Sequence, residues 1–202
     1  MPGDAVYWDD RYRTIGHANV SWFQHRPLLS LRLIESVNPP KDARIVDVGG
    51  GASALVDCLL EDGFHDITVV DLSRAALDEA SARIPGNTVT WVQTDIREWQ
   101  PQRDFDIWHD RAAYHFLTDP GDQQRYWRMV RDHLVPGGHL IIATFAEDGP
   151  EQCSGLDVAR YSPEQLIAAM GEGFTPIATE REVHRTPSGG EQPFTWVLAR
   201  RT

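Results

Sequence analysis

The stretch RIVDVGGGASALVDCLL, residues 44–60, joins a short apolar run to three adjacent glycines and a helical pattern. The apolar run has the length of a buried strand, and apolar residues then recur at helical spacing. Glycines at such a junction make a tight turn, and they also let a ligand approach the backbone N–H groups at the positive end of the helix. Gly49, Gly50 and Gly51 are therefore predicted to form the floor of a binding site.

Strand-like and helix-like segments alternate on both sides of the glycines. The pattern predicts strands over residues 44–48, 66–71, 88–93, 105–110 and 139–145, with helices over 52–63, 73–84 and 121–134 between them. Such alternation is typical of a parallel sheet covered by helices on both faces. Towards the end of the chain we predict a helix capped by Ser162 and an antiparallel hairpin of strands 178–186 and 194–201.

Composition limits the partners of the chain. Its 202 residues carry a net charge of -11, which opposes binding to nucleic acid or to anionic membranes. Cys58 and Cys153 show no metal-ligand spacing, so we predict no metal site and a reducing, cytoplasmic location. The sequence has no apolar run of about 18 residues and no signal-peptide pattern at its start, so neither a membrane span nor export is expected.

Acidic residues end four of the predicted strands. Asp71 follows Gly49 by 22 residues, where a carboxylate can accept hydrogen bonds from a ribose diol. Asp47 precedes the glycines and suits a ligand ammonium group better than a pyrophosphate, and Asp95 with the Ile96 backbone N–H is placed to meet an adenine. Asp110 ends the fourth strand. These residues favour a cationic, phosphate-free nucleoside over a dinucleotide, although the glycine spacing also fits a dinucleotide fingerprint.

These features resemble the class I S-adenosylmethionine-dependent methyltransferases. VDVGGGAS (residues 46–53) looks like the glycine loop of that family, VVDLS (69–73) like its ribose-binding strand end, and QTDI (93–96) like its adenine segment. The resemblance implies S-adenosyl-L-methionine as cofactor, S-adenosyl-L-homocysteine as product, and Leu72 as a further cofactor contact. It also implies an α/β fold, a Rossmann-like doubly wound sheet of seven strands, mostly parallel with an antiparallel C-terminal strand and an N-terminal helical cap.

A narrower likeness comes from Ser53 and the N-terminus. The G-x-G-x-S form, YWDDRY (residues 7–12) and SWFQ (21–24) are similar to a branch that contains eukaryotic lysine methyltransferases of elongation factor 1A and citrate synthase. In that branch the N-terminal aromatic residues cap the cofactor, which implies cofactor contacts for Trp8, Tyr12 and Trp22. We expect one domain over residues 1–202, with a cap over 1–40, a core over 41–202 and a lid loop over about 146–161.

The substrate segment departs from this branch. HDRAAYHFL (residues 109–117) keeps acidic and basic residues, Asp110 and Arg111, but not the rest of the lysine-enzyme pattern. A small-molecule acceptor is therefore the first hypothesis and a protein lysine the alternative. A nicotinamide-dependent oxidoreductase or a nucleotide-binding sensor with the same fold is a third, which the lack of a second substrate domain disfavours. The protein is expected to be a monomer or a weak homodimer.

The reaction would need alignment of the acceptor and a path for its proton. Asp110 is predicted to contact the cofactor near its reactive end, with Arg111 beside it steering a carboxylate or stabilising the strand end. His115 is the candidate general base because its ordinary pKa lies near neutrality. Cys153, in the long loop after the fifth strand, is a weaker candidate for lining the acceptor pocket.

Overall fold

A computed structural model describes residues 3–86 and 88–202, so Met1, Pro2 and Asn87 lie outside the description. The helices of the described residues are α1 Ala5–Ile15, α2 Leu28–Ser36, α3 Leu55–Glu61, α4 Arg74–Arg83, α5 Pro120–His133 and α6 Pro163–Met170. The strands are β1 Arg44–Val48, β2 Asp66–Asp71, β3 Val89–Gln93, β4 Phe105–Arg111, β5 Leu134–Phe145, β6 Gln152–Cys153, β7 Leu156–Asp157, β8 Phe174–Arg185 and β9 Glu191–Arg201.

Seven of the strands form one sheet in the order β3-β2-β1-β4-β5-β9-β8, and β6 pairs with β7 in a small hairpin. Strands β1 to β5 run parallel to one another, whereas β9 runs antiparallel to both β5 and β8. The predicted fold class is confirmed: the sheet is Rossmann-like, mostly parallel, and contains one antiparallel strand. The strand order reverses between β1 and β4, which is where open α/β sheets bind ligands.

Local sequence signals set several helix ends. Ser73 caps α4 by accepting a hydrogen bond from the Ala76 N–H, and Ser162 forms a capping box with Gln165 at the start of α6. Several predicted boundaries are wrong. Helix α3 begins at Leu55 rather than at residue 52, because the turn of the glycine loop continues to Ala54. Strand β5 begins at Leu134 rather than at residue 139, and β8 and β9 begin at residues 174 and 191 rather than at 178 and 194.

Strand β4 places alternate side chains on opposite faces of the sheet, as the period of two requires. Ile107 packs on the face covered by α2 and α3, and His109 contacts Ser30 of α2 on that face. Trp108 packs on the face covered by α5, and Asp110 contacts Tyr126 of α5 there. The neighbouring residues Asp110 and Arg111 therefore lie on different sides of the sheet.

Helix α1 is fastened to the N-terminus of α4. The Asp9 carboxylate accepts hydrogen bonds from the Ser73 hydroxyl at 2.7 Å and from the Ala75 N–H at 3.0 Å. The Tyr7 hydroxyl donates to the Ser154 carbonyl in the turn between β6 and β7. The N-terminal helix thus spans from the glycine-loop side of the sheet to the β6–β7 hairpin.

No helix among residues 3–86 and 88–202 is both long enough and apolar enough to cross a membrane.

Candidate active site

A cavity of about 360 Å³ lies at the carboxyl ends of the parallel strands. Its walls come from the N-terminal segment, from the ends of β1 to β5, from the β6–β7 hairpin and from the start of β9. One end of the cavity is bordered by Asp71, Leu72, Thr94, Asp95 and Ile96, and the other by Arg111, Phe116, Phe145, Cys153, Leu156, Gln192 and Phe194. These are called below the acidic end and the aromatic end.

The glycine loop is packed tightly against the rest of the chain. Gly49 has φ +68°, lines the cavity, and a Cβ there would lie 2.6 Å from the Ala113 Cβ. Gly51 has φ +47°, and a Cβ there would lie 2.6 Å from the Tyr12 hydroxyl and 3.0 Å from the Asp71 carboxylate. The lack of side chains thus lets Tyr12 and Asp71 close over the loop.

Gly50 lies on the other side of the loop. A Cβ at Gly50 would lie 2.5 Å from an Asp47 carboxylate oxygen and 2.8 Å from a Val69 methyl group. Gly50 borders a second, smaller cavity of about 40 Å³, which Asp47 also lines. The middle glycine is therefore needed for the approach of Asp47.

Asp71, at the end of β2, borders the acidic end beside the glycine loop. Burial, reinforced by the nearby charge of Asp47, raises the pKa of the Asp71 carboxyl to about 7. One of its oxygens accepts a hydrogen bond from the Ser73 N–H at 2.7 Å. A pair of ribose hydroxyls would supply the further donors that a buried carboxylate requires, so the position of Asp71 fits its predicted role.

Asp95 and Ile96 also border the acidic end, next to Thr94. Both oxygens of the Asp95 carboxylate accept hydrogen bonds from the Arg97 side chain, and one accepts the Arg97 N–H at 2.9 Å. Burial opposes ionisation of Asp95, but the bonds from Arg97 outweigh it, and the pKa lies below its ordinary value. Arg97 therefore holds the charged carboxylate in place at the edge of the cavity.

Asp47 does not border the large cavity but ends a buried chain of polar groups beneath the glycine loop. The Asp47 carboxylate lies 2.7 Å from His109 Nδ1, and His109 Nε2 lies 2.9 Å from the Ser30 hydroxyl. All three side chains are buried and line the small cavity. No sequence pattern indicates this pairing, because Ser30 lies 79 positions from His109.

The aromatic residues of the N-terminus lie together, as the sequence predicts. Trp8, Tyr12 and Trp22 line the large cavity, and the Trp22 ring contacts the other two edge-on, with ring centroids 5.9 Å and 6.1 Å away. Trp8 also meets Phe116 at 5.2 Å. These rings form an apolar wall over the cavity between its two ends.

The predicted contact between Asp110 and the cofactor is not found, because Asp110 is fully buried on the face covered by α5 and does not border the cavity. Its carboxylate accepts hydrogen bonds from the Ala113 N–H at 2.9 Å, the Tyr114 N–H at 3.1 Å and the Tyr126 hydroxyl at 2.6 Å. Burial raises its pKa to about 6. Asp110 therefore orders the turn after β4, in which Ala112 adopts φ +68°.

The predicted role of His115 as a general base is also wrong. Its ring is fully buried between Phe116 and Phe145, with centroids 4.5 Å and 4.9 Å away, and it does not border the cavity. Burial, with the nearby charge of Arg111, lowers its pKa to about 3. The imidazole stays neutral and packs as an apolar group, a possibility that the sequence could not distinguish from a catalytic one.

Arg111 borders the aromatic end of the large cavity and also lines the small cavity. Its guanidinium donates one hydrogen bond to the Trp22 carbonyl at 3.0 Å and lies 4.8 Å from the centre of the Phe194 ring. Burial lowers its pKa from the ordinary value. The side chain borders the cavity, and its contact with a ligand stays a prediction.

Most residues of the aromatic end were missed from the sequence. Phe145 ends β5, while Gln192 and Phe194 begin β9, and their segments look like ordinary core strands. Cys153 lines the cavity from the hairpin, and whether it meets an acceptor there stays a prediction. Burial raises the pKa of its thiol to about 11, so the thiol stays protonated near neutral pH. The one signal that could have identified Phe145, Gln192 and Phe194 is their position in β5 and β9, at the edge of the sheet that borders the cavity.

The known proteins that this chain resembles are methyltransferases. Residues 45–138 match a methyltransferase domain family. An EEF1A lysine methyltransferase 2 from Danio rerio is 24% identical over 85% of this chain and 75% of its own length. A trans-aconitate 2-methyltransferase from Acidovorax sp. (strain JS42) is 32% identical over 56% of this chain, which spans only 42% of that protein.

One solved structure shows both the fold and a bound acceptor. It is the 1,6-didemethyltoxoflavin-N1-methyltransferase of Burkholderia thailandensis, with 1,6-didemethyltoxoflavin and S-adenosylhomocysteine bound. The two chains superpose with a TM-score of 0.71 and 25% identity, covering 97% of this chain and 84% of the other.

The charges around the large cavity fit a cationic nucleoside without phosphate. Its charged lining comprises the carboxylates of Asp71, Asp95, Asp119, Asp122 and Asp157 and the guanidinium groups of Arg97 and Arg111. Arg97 is engaged by Asp95, so no free cation faces the glycine loop among the described residues at the acidic end. Residues 45–138 therefore carry a methyltransferase domain, the fold resembles that of S-adenosylmethionine-dependent methyltransferases, and the chain is similar at 24% identity to an EEF1A lysine methyltransferase 2.

Proposed function

We propose that this enzyme transfers a methyl group from S-adenosylmethionine to a small molecule held inside the large cavity. The observation that carries the proposal is the continuity of the cavity from Asp71, beside the glycine loop, to the rings of Phe145 and Phe194. A small molecule at the aromatic end would lie next to the cofactor without leaving the protein. Flat apolar walls of this kind suit a planar acceptor.

The residues of the acidic end would hold the cofactor. Asp71 would accept hydrogen bonds from the ribose hydroxyls, the Ile96 N–H and Asp95 would border the adenine, and Trp8, Tyr12 and Trp22 would cover the bound molecule. When bound, S-adenosylmethionine supplies a methyl group on a sulfonium, and the electron pair of the breaking carbon–sulfur bond stays on sulfur as the acceptor's lone pair bonds to the methyl carbon. The chain would contribute alignment and the exclusion of water.

The aromatic end offers little for proton removal. Among the described residues that border it, none is a histidine, and the Cys153 thiol, with a pKa of about 11, is not a base at neutral pH. An acceptor that arrives with a free lone pair, such as a carboxylate or a heteroaromatic nitrogen, needs no base. The bound 1,6-didemethyltoxoflavin of the Burkholderia relative agrees with a small acceptor of this kind.

Methylation of a protein lysine is the second candidate. It is favoured by the 24% identity to the Danio rerio EEF1A lysine methyltransferase 2 and by the net charge of -11, which would attract a basic partner. Against it, α1 and the β6–β7 hairpin lie over the cavity and are joined through Tyr7 and Ser154. A lysine side chain would have to reach past them.

A labelling experiment separates the two acceptors. The enzyme is incubated with S-adenosylmethionine carrying a radioactive methyl group and with a cell extract divided by ultrafiltration into protein and small-molecule fractions. We expect label to accumulate in the small-molecule fraction. Label confined to a discrete protein band would contradict the proposal and establish the second candidate.

Two variants serve as controls for this assay. Asp71→Asn is expected to lose label in both fractions because it damages cofactor binding. Phe194→Trp narrows the aromatic end while leaving the acidic end unchanged, so it is expected to retain binding of S-adenosylhomocysteine and to lose transfer to small molecules. Unchanged transfer by Phe194→Trp would show that the acceptor does not occupy the aromatic end.

A further inference from the structure

The guanidinium of Arg111 has two donors to spare. Its side chain is only 10% exposed, and Nη1 donates to the Trp22 carbonyl at 3.0 Å. Nε and Nη2 are buried and have no hydrogen-bond partner in the part of the chain that the structure describes. Leaving two donors of a buried cation unpaired is costly, so the arrangement calls for an acceptor group from outside the chain.

The nearest carboxylate does not fill this role. The Arg111 Nε lies 4.0 Å from a Glu182 oxygen, which is too long for a hydrogen bond. The Glu182 oxygens instead accept the Gln24 side-chain amide at 2.8 Å and the Trp196 indole N–H at 3.1 Å. Glu182 therefore balances part of the charge of Arg111 from a distance, while other residues hold its carboxylate.

The surroundings of Arg111 suit an anionic group on a flat molecule. The guanidinium lies 4.8 Å from the centre of the Phe194 ring, and Phe194 and Gln192 both line the cavity. The Gln192 Oε1 atom is also buried without a hydrogen-bond partner among the described residues. The Cys153 thiol is protonated at neutral pH, so it does not compete for the positive charge.

We propose that Arg111 is the anchor for a carboxylate of the methyl acceptor, so that the acceptor is a small planar carboxylic acid. The pair Nε and Nη2 forms one edge of the guanidinium, and such an edge binds the two oxygens of a carboxylate in parallel. Phe145 and Phe194 would pack against the body of the acid, and the Gln192 amide would pair with a polar substituent. This inference rests on the proposed function, because it names the class of small molecule.

The methionine part of the cofactor also carries a carboxylate, so the test must separate two sources of the same group. Wild type and Arg111→Gln are titrated with S-adenosylhomocysteine and with its decarboxylated analogue, S-adenosyl-3-thiopropylamine, by calorimetry. The proteins saturated with S-adenosylhomocysteine are then titrated with benzoate and with benzamide, which is uncharged and nearly the same shape, by saturation-transfer nuclear magnetic resonance. Arg11→Gln is the matched control, since Arg11 does not border the cavity.

We expect wild type and Arg11→Gln to bind benzoate at least tenfold more tightly than benzamide. Arg111→Gln is expected to lose this preference while its affinity for S-adenosylhomocysteine changes less than twofold. Arg111→Lys keeps the charge but not the paired donors, so it is expected to lose most of the preference as well. Arg111→Lys therefore provides the same test if Arg111→Gln does not fold.

Two results would overturn the inference. Equal binding of benzoate and benzamide by wild type would show that the site does not select a carboxylate. A tenfold loss of S-adenosylhomocysteine affinity in Arg111→Gln, with the decarboxylated analogue unaffected, would assign Arg111 to the cofactor. If either result is found while the labelling experiment still places label in small molecules, only the role of Arg111 is refuted. If the label is confined to protein, the proposed function itself is refuted.

Discussion

The two ends of the cavity are built in opposite ways. The acidic end takes Asp71 and Asp95 from consecutive strands, within a span of 25 residues. The aromatic end joins Arg111 to Phe145 and Phe194 through pairings of β4 with β5 and of β5 with the distant strand β9. One end presents carboxylates and the other a buried guanidinium, so the two ends of one cavity favour ligand groups of opposite charge. The acidic end is local in sequence, whereas the aromatic end exists only in the folded sheet.

The largest expected effect comes from removing the Asp71 carboxylate from the acidic end. Asp71→Asn replaces a carboxylate that would accept two ribose hydrogen bonds, each worth roughly 1.5–3 kcal/mol when an ionised group takes part. We expect the affinity for S-adenosylhomocysteine, measured by calorimetry, to fall about 100-fold, which is roughly 2.7 kcal/mol.

The control for Asp71→Asn lies on the same strand. Asp66→Asn removes a carboxylate at the far end of β2, where Asp66 pairs with Arg103 on the surface. Its affinity for S-adenosylhomocysteine should match that of wild type. Equal affinities for both variants would show that the acidic end does not bind the ribose.

The second test asks whether Asp110 stabilises the fold without contributing to ligand binding at either end of the cavity. Asp110→Ala leaves the Ala113 and Tyr114 N–H groups and the Tyr126 hydroxyl without their acceptor in a buried turn. We expect the free energy of unfolding, measured with urea, to fall by roughly 3 kcal/mol. The affinity of the folded protein for S-adenosylhomocysteine should change little, and a selective loss of affinity without a loss of stability would restore Asp110 to the binding site.

The third test separates the glycine loop's close packing from its backbone conformation. Gly51→Ala places a Cβ 2.6 Å from the Tyr12 hydroxyl and 3.0 Å from Asp71, whereas Gly86, with φ +82°, has nothing within 4 Å of the same position. Both alanine variants bear the strain of a positive φ, which costs about 1 kcal/mol. Only Gly51→Ala should also displace Tyr12 and lower S-adenosylhomocysteine affinity, by about tenfold. Equal affinities of the two variants would refute this.

The difference between the two ends also explains which residues of the cavity could be predicted from the sequence. The glycine loop, Asp71 and Asp95 follow predicted strands directly, so strand direction alone places them at one edge of the sheet. Asp110 was misplaced because its side chain lies on the opposite face from Arg111, and face depends on where the strand begins in the sheet. His115 was misread because burial, which reverses its expected chemistry, is invisible in a list of residues.

The remaining contacts were beyond prediction for a similar reason. Ser30 reaches His109 only because α2 packs against the sheet, and Gln192 reaches the cavity only because β9 lies beside β5. Each depends on packing between segments that are distant in the chain. No rule of sequence spacing links such residues, because the number of residues between them depends on the lengths of the intervening loops, helices and strands and not on the geometry of the site.

The smallest test uses pH to measure the acidic end alone. Burial raises the pKa of Asp71 in the folded protein to about 7, above its ordinary value of 3.8. The folded state therefore binds the proton more tightly than the unfolded state, so the contribution of Asp71 to stability falls as pH rises from about 4 through 7. Ribose hydroxyls donate best to the ionised carboxylate, so the affinity for S-adenosylhomocysteine should change in the other direction.

We expect that affinity to rise about fivefold between pH 6 and pH 8, as the Asp71 carboxyl loses its proton, and to level off above pH 8. Asp71→Asn provides the reference, because its amide does not titrate and any remaining pH dependence belongs to other groups. A rise of the same size in Asp71→Asn would show that Asp71 is not the titrating residue. Opposite slopes of stability and affinity in wild type, both flattened in Asp71→Asn, would show that one carboxylate accounts for both, because ionising it in its buried position lowers stability while its pairing with the cofactor raises affinity.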